Sequence, residues 1–231
     1  MIFMILAVTK VTAQDTFVVF ENSTHVHTVN KNGDNLYKWS IYYLTDLSAT
    51  ITDNSIFEIV KDENNQVSIK WKQVGNYVLA VEESDGACQN LKAIKVNVIA
   101  NTLQIAFDQS SSSDCYDGND VTPIPIKLQV DATNALPDSK YDVTVNYTVL
   151  FEGSEVNTET KTFTYEDVGE DGEVDLSVNG IEEELDKTKE YTIRINWAKD
   201  GFNTPFNIVS GKGTHTRTIY QLPQTGTMVQ Q

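Results

Sequence analysis

Two stretches decide the fold of this chain: Gly75-Asn76-Tyr77-Val78-Leu79-Ala80-Val81 and Lys189-Glu190-Tyr191-Thr192-Ile193-Arg194-Ile195. Each stretch alternates apolar and polar residues with a period of two, which is typical of a half-buried strand. Each also begins with a tyrosine, as in the tyrosine corner of a β-sandwich, where the phenol bonds back to the preceding loop. Tyr77 and Tyr191 lie 114 positions apart. The pattern therefore predicts two sandwiches in tandem.

The length of the chain agrees with two domains. Its 231 residues suit two domains of about 100 residues each, and each is large enough for its own core. We expect a first sandwich at residues 15–100 and a second at residues 103–222. The predicted fold class is all-β, with two tandem immunoglobulin-like or fibronectin-III-like sandwiches. The polar residues 223–231 are expected to form a mobile tail.

The alternation also predicts which side chains form the cores. Trp39 takes the position of the core tryptophan of such sandwiches. Three strands are expected to turn one face inward: Val67, Ile69 and Trp71; Val143, Val145, Tyr147 and Val149; and Ile193, Ile195 and Trp197. The serine-rich stretch 109–114 is predicted to be a polar loop.

The charge of the chain excludes some classes of partner. There are 33 acidic and 17 basic residues, which gives a net charge of -16. Nucleic acids and anionic membrane surfaces are disfavoured, because binding to them requires clustered lysine and arginine. The acidity favours solubility first, and a cationic partner second.

The N-terminus resembles a signal peptide. Residues 1–13 read MIFMILAVTKVTA, with a short apolar core at residues 2–8 and small residues before Gln14. The apolar core is too short to span a bilayer, so no membrane insertion is expected. A basic n-region is missing, which suggests a start codon further upstream. We expect residues 1–14 to be the signal peptide of an exported protein; the alternative is a strand-forming or disordered terminus.

The chain has two cysteines, Cys88 and Cys115. In an exported protein they are candidates for a disulfide. If the strands that flank the domain boundary run collinearly, the two sulfur atoms are separated by about 15 residues of extended chain. A disulfide needs Cα atoms within about 7 Å, so pairing would require the second domain to fold back on the first. The sequence leaves open whether the two cysteines are paired or free.

Candidate metal ligands are weak. Asp114, Asp117 and Asp120 offer oxygen ligands for Ca²⁺ in one loop, but they lack the spacing of an EF-hand. An acidic surface loop is the favoured interpretation. His25 and His27 share one face of a predicted strand, and two ligands do not make a closed zinc site. No metal and no cofactor are therefore expected.

Catalytic motifs are missing from the sequence. It contains no Gly-x-Ser-x-Gly elbow, no phosphate loop and no dinucleotide fingerprint. With three histidines and two cysteines, a nucleophilic triad has few options. The protein is therefore predicted not to be an enzyme.

Four segments of the first domain resemble a known family. They are Trp39-Ser40-Ile41, Val67-Ser68-Ile69-Lys70-Trp71, Val74-Gly75-Asn76-Tyr77-Val78-Leu79-Ala80-Val81-Glu82-Glu83 and Gly86-Ala87-Cys88. Over about 85 residues the chain resembles the PKD-like immunoglobulin module. Such modules are abundant in exported proteins of Bacteroidota, many of them tied to gliding motility and type IX secretion. Their usual second cysteine is absent here, since residues 20–23 read Phe-Glu-Asn-Ser.

The resemblance implies a function. It suggests a non-catalytic, exported protein-binding subunit in the periplasm or at the outer membrane. Its partner would be a large outer-membrane component of the type IX secretion and gliding machinery, and a small plug-type subunit that occludes the channel fits the size. One alternative is a surface adhesin or glycan-binding module that uses Tyr42, Tyr43 and Phe202 as a platform. Another is a spacer stiffened by Ca²⁺.

Overall fold

The chain divides into two compact units. The computed structural model describes residues 14–86, 88–115, 124–131, 142–168, 172–179, 181 and 187–221. Unit 1 is Met1–Asn101 with Phe202–Thr204, and unit 2 is Thr102–Gly201 with Pro205–Gln231. The predicted signal peptide up to residue 13 and the tail from residue 222 lie outside the described residues.

The described residues of unit 1 form seven strands in two sheets. They are β1 (Gln14–Phe20), β2 (Thr24–Thr28), β3 (Leu36–Tyr43), β4 (Phe57–Glu63), β5 (Gln66–Trp71), β6 (Gly75–Ser84) and β7 (Gln89–Ile99). One sheet has the order β1-β7-β6-β3 and the other β2-β5-β4. β1 pairs in parallel with β7, and the other pairs are antiparallel. The sheet of β2, β5 and β4 thus faces the sheet that contains β3, β6 and β7, as in an immunoglobulin-like sandwich.

The described residues of unit 2 form nine strands in a similar arrangement. They are β8 (Gln104–Phe107), β9 (Ser111–Cys115), β10 (Ile124–Asp131), β11 (Val143–Phe151), β12 (Ser154–Phe163), β13 (Glu173–Val178), β14 (Lys189–Asp200), β15 (Asn207–Ile208) and β16 (Thr214–Tyr220). Their sheets have the orders β13-β10-β8-β15 and β12-β11-β14-β16-β9. β9 pairs in parallel with β16, as β1 does with β7. The fold is all-β, with two tandem immunoglobulin-like sandwiches.

The core of unit 1 forms around Trp71 and not around Trp39. Trp71 is fully buried and stacks on Tyr77, with ring centroids 5.4 Å apart. Trp39 is only partly buried, and its Nε1 donates to the carbonyl of Asn64 at 2.9 Å. Trp39 packs against this core from the edge strand β3 but stays partly buried, whereas Ile41, on the same face of β3, is buried. The place of the central tryptophan, predicted for Trp39, is thus taken by Trp71.

Tyr77 has the geometry of a tyrosine corner. Its hydroxyl donates to the carbonyl of Gln73 at 3.1 Å, across the loop that leads into β6. The ring passes so close to Gly75 that a Cβ there would lie 2.8 Å from the Tyr77 hydroxyl, which explains the glycine. In unit 2, Tyr191 is buried and packs against Phe151 with ring centroids 5.1 Å apart.

Most of the predicted core of unit 2 is buried, with one exception. The set on β11 (Val143, Val145, Tyr147 and Val149) and the pair Ile193 and Ile195 on β14 face inward. Trp197 is 42% exposed, whereas the next residue, Ala198, is buried. The prediction for Trp197 is wrong because the alternation reverses at a bulge. Tyr147 pairs with Ile195 and Asn146 pairs with Trp197, so Asn196 is one residue too many.

One predicted loop forms a strand. Residues 111–115 make β9, although the serine run suggested a loop. Serine has little preference for strands, and here the pairing of Ser111 to Cys115 with Thr216 to Tyr220 of β16 supplies the order.

Removal of the Tyr77 hydroxyl tests the corner of unit 1. We expect Tyr77→Phe to lower the free energy of unfolding by about 1 kcal/mol, since it deletes one hydrogen bond and leaves the ring in place. Urea unfolding followed by tryptophan fluorescence measures the change. Tyr42→Phe is the control, because Tyr42 alternates to the opposite face of β3. An equal loss in both variants would contradict the assigned role of the corner.

Candidate binding surfaces

The predicted calcium loop is only partly described. Asp114 ends up beside Arg217, with Oδ2 and Nη2 3.3 Å apart. Asp117 and Asp120 lie outside the described residues. Within the part of the chain that the structure describes, no three histidine, cysteine or carboxylate side chains are grouped to hold a metal.

The candidate disulfide is not formed. Cys88 and Cys115 are both free and exposed. The Cys88 amide donates to the Asp85 carboxylate at 2.7 Å, directly before β7. Cys115 is the last residue of β9 and pairs with Tyr220 of β16. Each cysteine is thus held by the local structure of its own unit, and of the two states that the sequence left open the structure shows the free one.

A buried polar cluster ties β9 to β16. His215 Nδ1 lies 2.8 Å from the carbonyl of Gln109, so Nδ1 carries the proton. Its Nε2, 2.7 Å from the Ser112 hydroxyl, is therefore the acceptor. Arg217 Nη1 also donates to that hydroxyl at 3.1 Å. Burial is the main cause that lowers the pKa of His215.

This cluster has the hydrogen bond of a serine nucleophile and its base, but a structural role explains it better. His215 and Arg217 are both buried on the inner face of β16, and their bonds to Ser112 hold the serine strand against the sheet. Sequence reasoning missed the cluster. The alternation in residues 214–220 was the available signal, because it places both side chains on the inner face.

The two histidines of β2 form a second buried cluster. Phe17 meets the rings of His25 and His27 edge-on, with centroids 5.4 and 5.5 Å away. His25 Nε2 is 2.9 Å from the Ser23 hydroxyl, and His27 Nε2 has no hydrogen-bond partner among the described residues. Burial lowers the pKa of each ring to about 4, with the charge of His27 as a lesser cause for His25.

Unit 1 presents an exposed apolar surface after β3 and before β6, which we call the apolar end. Its side chains are Tyr43, Leu44, Leu47 and Val74, and each is exposed. The Leu44 amide donates to the carbonyl of Asn76 at 3.0 Å, so the loop after β3 lies against the start of β6.

The aromatic residues predicted as a glycan platform have separate neighbours. The Tyr43 ring lies 5.9 Å from that of Tyr77. Phe202, which belongs to unit 1, stacks on His25 at 4.5 Å. Tyr42 is half-buried on the other face of β3.

The outer face of the five-stranded sheet in unit 2 carries mostly hydroxyl and amide side chains, together with two cations and one tryptophan, and we call it the hydroxyl–amide face. Its central side chains are Thr144, Asn146 and Thr148 of β11; Thr158, Thr160 and Thr162 of β12; and Arg194, Asn196, Trp197 and Lys199 of β14. Three hydrogen bonds between side chains of this face link β11 with β12: Thr144 to Thr162 at 3.1 Å, Asn146 to Thr160 at 3.0 Å and Thr148 to Thr158 at 2.7 Å.

The bulge at Asn196 completes this face. The Asn196 amide donates to Asn146 Oδ1 and to the Thr148 hydroxyl, both at 2.8 Å. Trp197 follows, and Lys199 Nζ lies 5.5 Å from its ring centroid. Sequence reasoning missed the face, although threonine at every second position of 158–162 was a signal of it.

Comparisons with known proteins do not assign the chain to a family. No family model matches the chain, and no curated protein matches it. Solved structures with similar folds include a chimeric titin Z1Z2 functionalised with a KLER exogenous peptide from decorin. It is 14% identical, with 92% of this chain and 96% of that chain covered and a TM-score of 0.45.

Fibronectin(III)-like modules of CbhA from Clostridium thermocellum are 11% identical, with coverages of 94% and 96% and a TM-score of 0.35. The I9–I11 tandem of titin is 14% identical, with coverages of 90% and 63% and a TM-score of 0.33. Structural similarities at these TM-scores say nothing about function. The fold is assigned from the strand order. Among the residues described, no helix has the length and hydropathy to cross a membrane.

The buried histidines predict that unit 1 loses stability in acid. Their pKa of about 4 in the folded state lies below the ordinary 6.5. The unfolded chain therefore takes up protons first as the pH falls. The neutral rings contribute their full stabilisation of the folded state above pH 6.5. As the pH falls towards 4, the free energy of unfolding decreases by about 1.4 kcal/mol for each ring and each unit of difference between its folded and unfolded pKa.

Urea unfolding between pH 7.5 and 4 measures this dependence. His27→Leu removes one titrating ring, so its loss of stability on acidification should be clearly smaller than that of the wild type. His215→Leu is the matched control in unit 2 and should leave the acid sensitivity of unit 1 unchanged. An unchanged pH dependence in His27→Leu would contradict the assigned cause.

Proposed function

We propose that the protein is a non-catalytic, exported binding module that docks on a partner protein within a larger envelope assembly. The observation that carries this proposal is the apolar end of unit 1. Sandwich domains commonly bind through their end loops, and clustered exposed apolar side chains mark sites of protein interaction.

The loop that carries the apolar end is ordered before any partner binds. The Asp46 carboxylate accepts hydrogen bonds from the amide of Ser48 at 2.9 Å and from its hydroxyl at 2.6 Å. The Asp46 amide in turn donates to the carbonyl of Tyr43 at 3.1 Å. A loop held in one conformation loses less entropy on association, which favours binding.

The chemistry of the rim indicates the chemistry of the partner. The hydrogen bonds from Ser48 hold the pKa of Asp46 below its usual value, so this carboxylate is charged at neutral pH. An apolar centre with a charged rim is the usual anatomy of a protein interface. The complementary partner presents an apolar patch with cationic residues around it.

The histidine clusters support a role without catalysis. The Ser112 hydroxyl is bonded by both His215 and Arg217, and His25 and His27 are buried beside Phe17. In both clusters the polar groups are used for packing and pairing within the sandwich. Neither has the converging groups of a catalytic site.

The choice of partner rests on the resemblance of unit 1 to PKD-like modules. The stretches 39–41, 67–71 and 74–88 carry that resemblance. On this basis we propose a large outer-membrane component of the type IX secretion and gliding machinery as the partner. The protein would act in the periplasm or at the outer membrane and could occlude the channel.

Introduction of a charge at the apolar end tests this function. Leu47 is 61% exposed and Leu91, on β7, is 52% exposed. We expect Leu47→Asp to reduce co-purification of the outer-membrane partner about tenfold or more, because a carboxylate would be buried in the interface. Leu91→Asp is the matched control and should retain the partner.

The measurement is affinity purification of the tagged full chain from detergent extracts of the envelope, with quantitative mass spectrometry. Recovery of the wild-type protein without a stoichiometric outer-membrane protein would contradict the proposal. Equal loss of the partner in both variants would contradict the assignment to the apolar end.

A further inference from the structure

The hydroxyl–amide face of unit 2 differs in chemistry from the chain as a whole. The chain carries a net charge of -16, whereas the described residues of this face carry carboxylates only at its margin, where Glu155 accepts a hydrogen bond from Thr158 at 2.9 Å and Glu190 lies near the start of β14. The central side chains offer hydroxyls, two amides, two cations and one exposed aromatic ring, that of Trp197. This separates the face from the apolar end of unit 1, which is built from apolar side chains.

We propose that this face binds a neutral glycan chain. A pyranose ring would stack on the indole of Trp197, and its hydroxyls would donate to the amide oxygens of Asn146 and Asn196 and bond the neighbouring exposed threonines. Sugars present one apolar face of C–H groups and a rim of hydroxyls. An aromatic ring beside fixed amides and hydroxyls complements both parts of that surface.

The position of Trp197 is the first support. The bulge at Asn196 turns this large apolar side chain outward, where it is 42% exposed although it sits on a core strand. Burial of the indole would be the usual outcome, because exposure of an aromatic ring forgoes its hydrophobic stabilisation. Bulges often re-aim a side chain for a function. The ammonium of Lys199 lies 5.5 Å from the ring centroid and orients the indole.

The amide network is the second support. Asn196 donates to Asn146 Oδ1 and to Thr148, and Asn146 donates to the carbonyl of Glu159 at 3.1 Å and to Thr160 at 3.0 Å. These bonds hold the two amides in fixed orientations beside the indole. A ligand that bonds fixed groups loses less entropy on binding than one that must order them.

The spacing of the face suits an extended chain of sugars. Neighbouring strands lie about 4.8 Å apart, which is close to the length of one pyranose ring along a polysaccharide. A glycan that crosses the strands would therefore place about one sugar on each strand. On β12 it would meet the exposed hydroxyls of Thr158, Thr160 and Thr162, whereas Thr148 is itself buried and supports Asn196.

The charges favour a neutral ligand over a charged one. A polyanion would be repelled by the field of the whole chain. A cationic ligand would meet Arg194 and Lys199 directly on the face. A protein partner would find Trp197 as the one large apolar anchor among the central side chains. A neutral glycan is repelled neither by the net charge of the chain nor by the two cations, and it needs no further apolar anchor. Arg194 can donate hydrogen bonds to the hydroxyls of the glycan.

Calorimetric titration of the full chain tests the proposal. The probes are cellohexaose, xylohexaose, mannohexaose and laminarihexaose, with hexagalacturonate as the acidic comparison. We expect at least one neutral hexasaccharide to bind. Trp197→Ala should weaken that binding about tenfold or more, whereas Trp197→Phe, which keeps an aromatic ring, should lose much less.

Tyr165→Ala is the matched control, because it removes an exposed aromatic ring from the turn after β12, outside the face, and should leave the glycan affinity unchanged. Absence of binding to all four neutral probes would overturn the proposal, as would binding of hexagalacturonate alone. An unchanged affinity in Trp197→Ala, or equal losses in Trp197→Ala and Tyr165→Ala, would also overturn it. Unfolding curves of each variant show whether the fold is kept.

Discussion

The alternation of side chains along β6 and β14 is the constraint on which both sandwiches depend. Tyr77 and Leu79 of β6, and Tyr191 and Ile193 of β14, all face a core between two sheets. A shift of one residue in either strand would expose that whole set and bury the polar one. The two sheets of each unit must therefore meet across these strands, which also pair with β3 in unit 1 and with β11 in unit 2.

Alternation was enough to predict most of the fold, because it records which face of a strand is buried. It placed Trp71 on the inner face correctly, but it could not show that Trp39, on the edge strand β3, would remain partly buried. Alternation also could not reveal the bulge at Asn196, where one extra residue reverses the pattern of buried and exposed side chains. Nor could it find β9, since the serines of that strand are ordered by backbone pairing with β16.

The candidate sites lie where the pattern breaks or ends. At the bulge, Asn196 joins the bonds of the hydroxyl–amide face, and Trp197 turns outward beside it. At the apolar end, β3 gives way to a loop held by the Asp46 carboxylate. Neither feature has a signature in residue composition, because both depend on how neighbouring strands pair. The proposed partner protein and glycan would thus use different units and different chemistry.

The most direct test of this account is the solvent exposure of the three tryptophans, measured by ¹⁹F NMR of the protein labelled with 5-fluorotryptophan. Single tryptophan-to-phenylalanine variants assign the resonances, and the change in shift between H₂O and D₂O reports contact with water. The account predicts a large solvent shift for Trp197, none for Trp71 and an intermediate value for Trp39. A buried Trp197 together with an exposed Trp71 would contradict it.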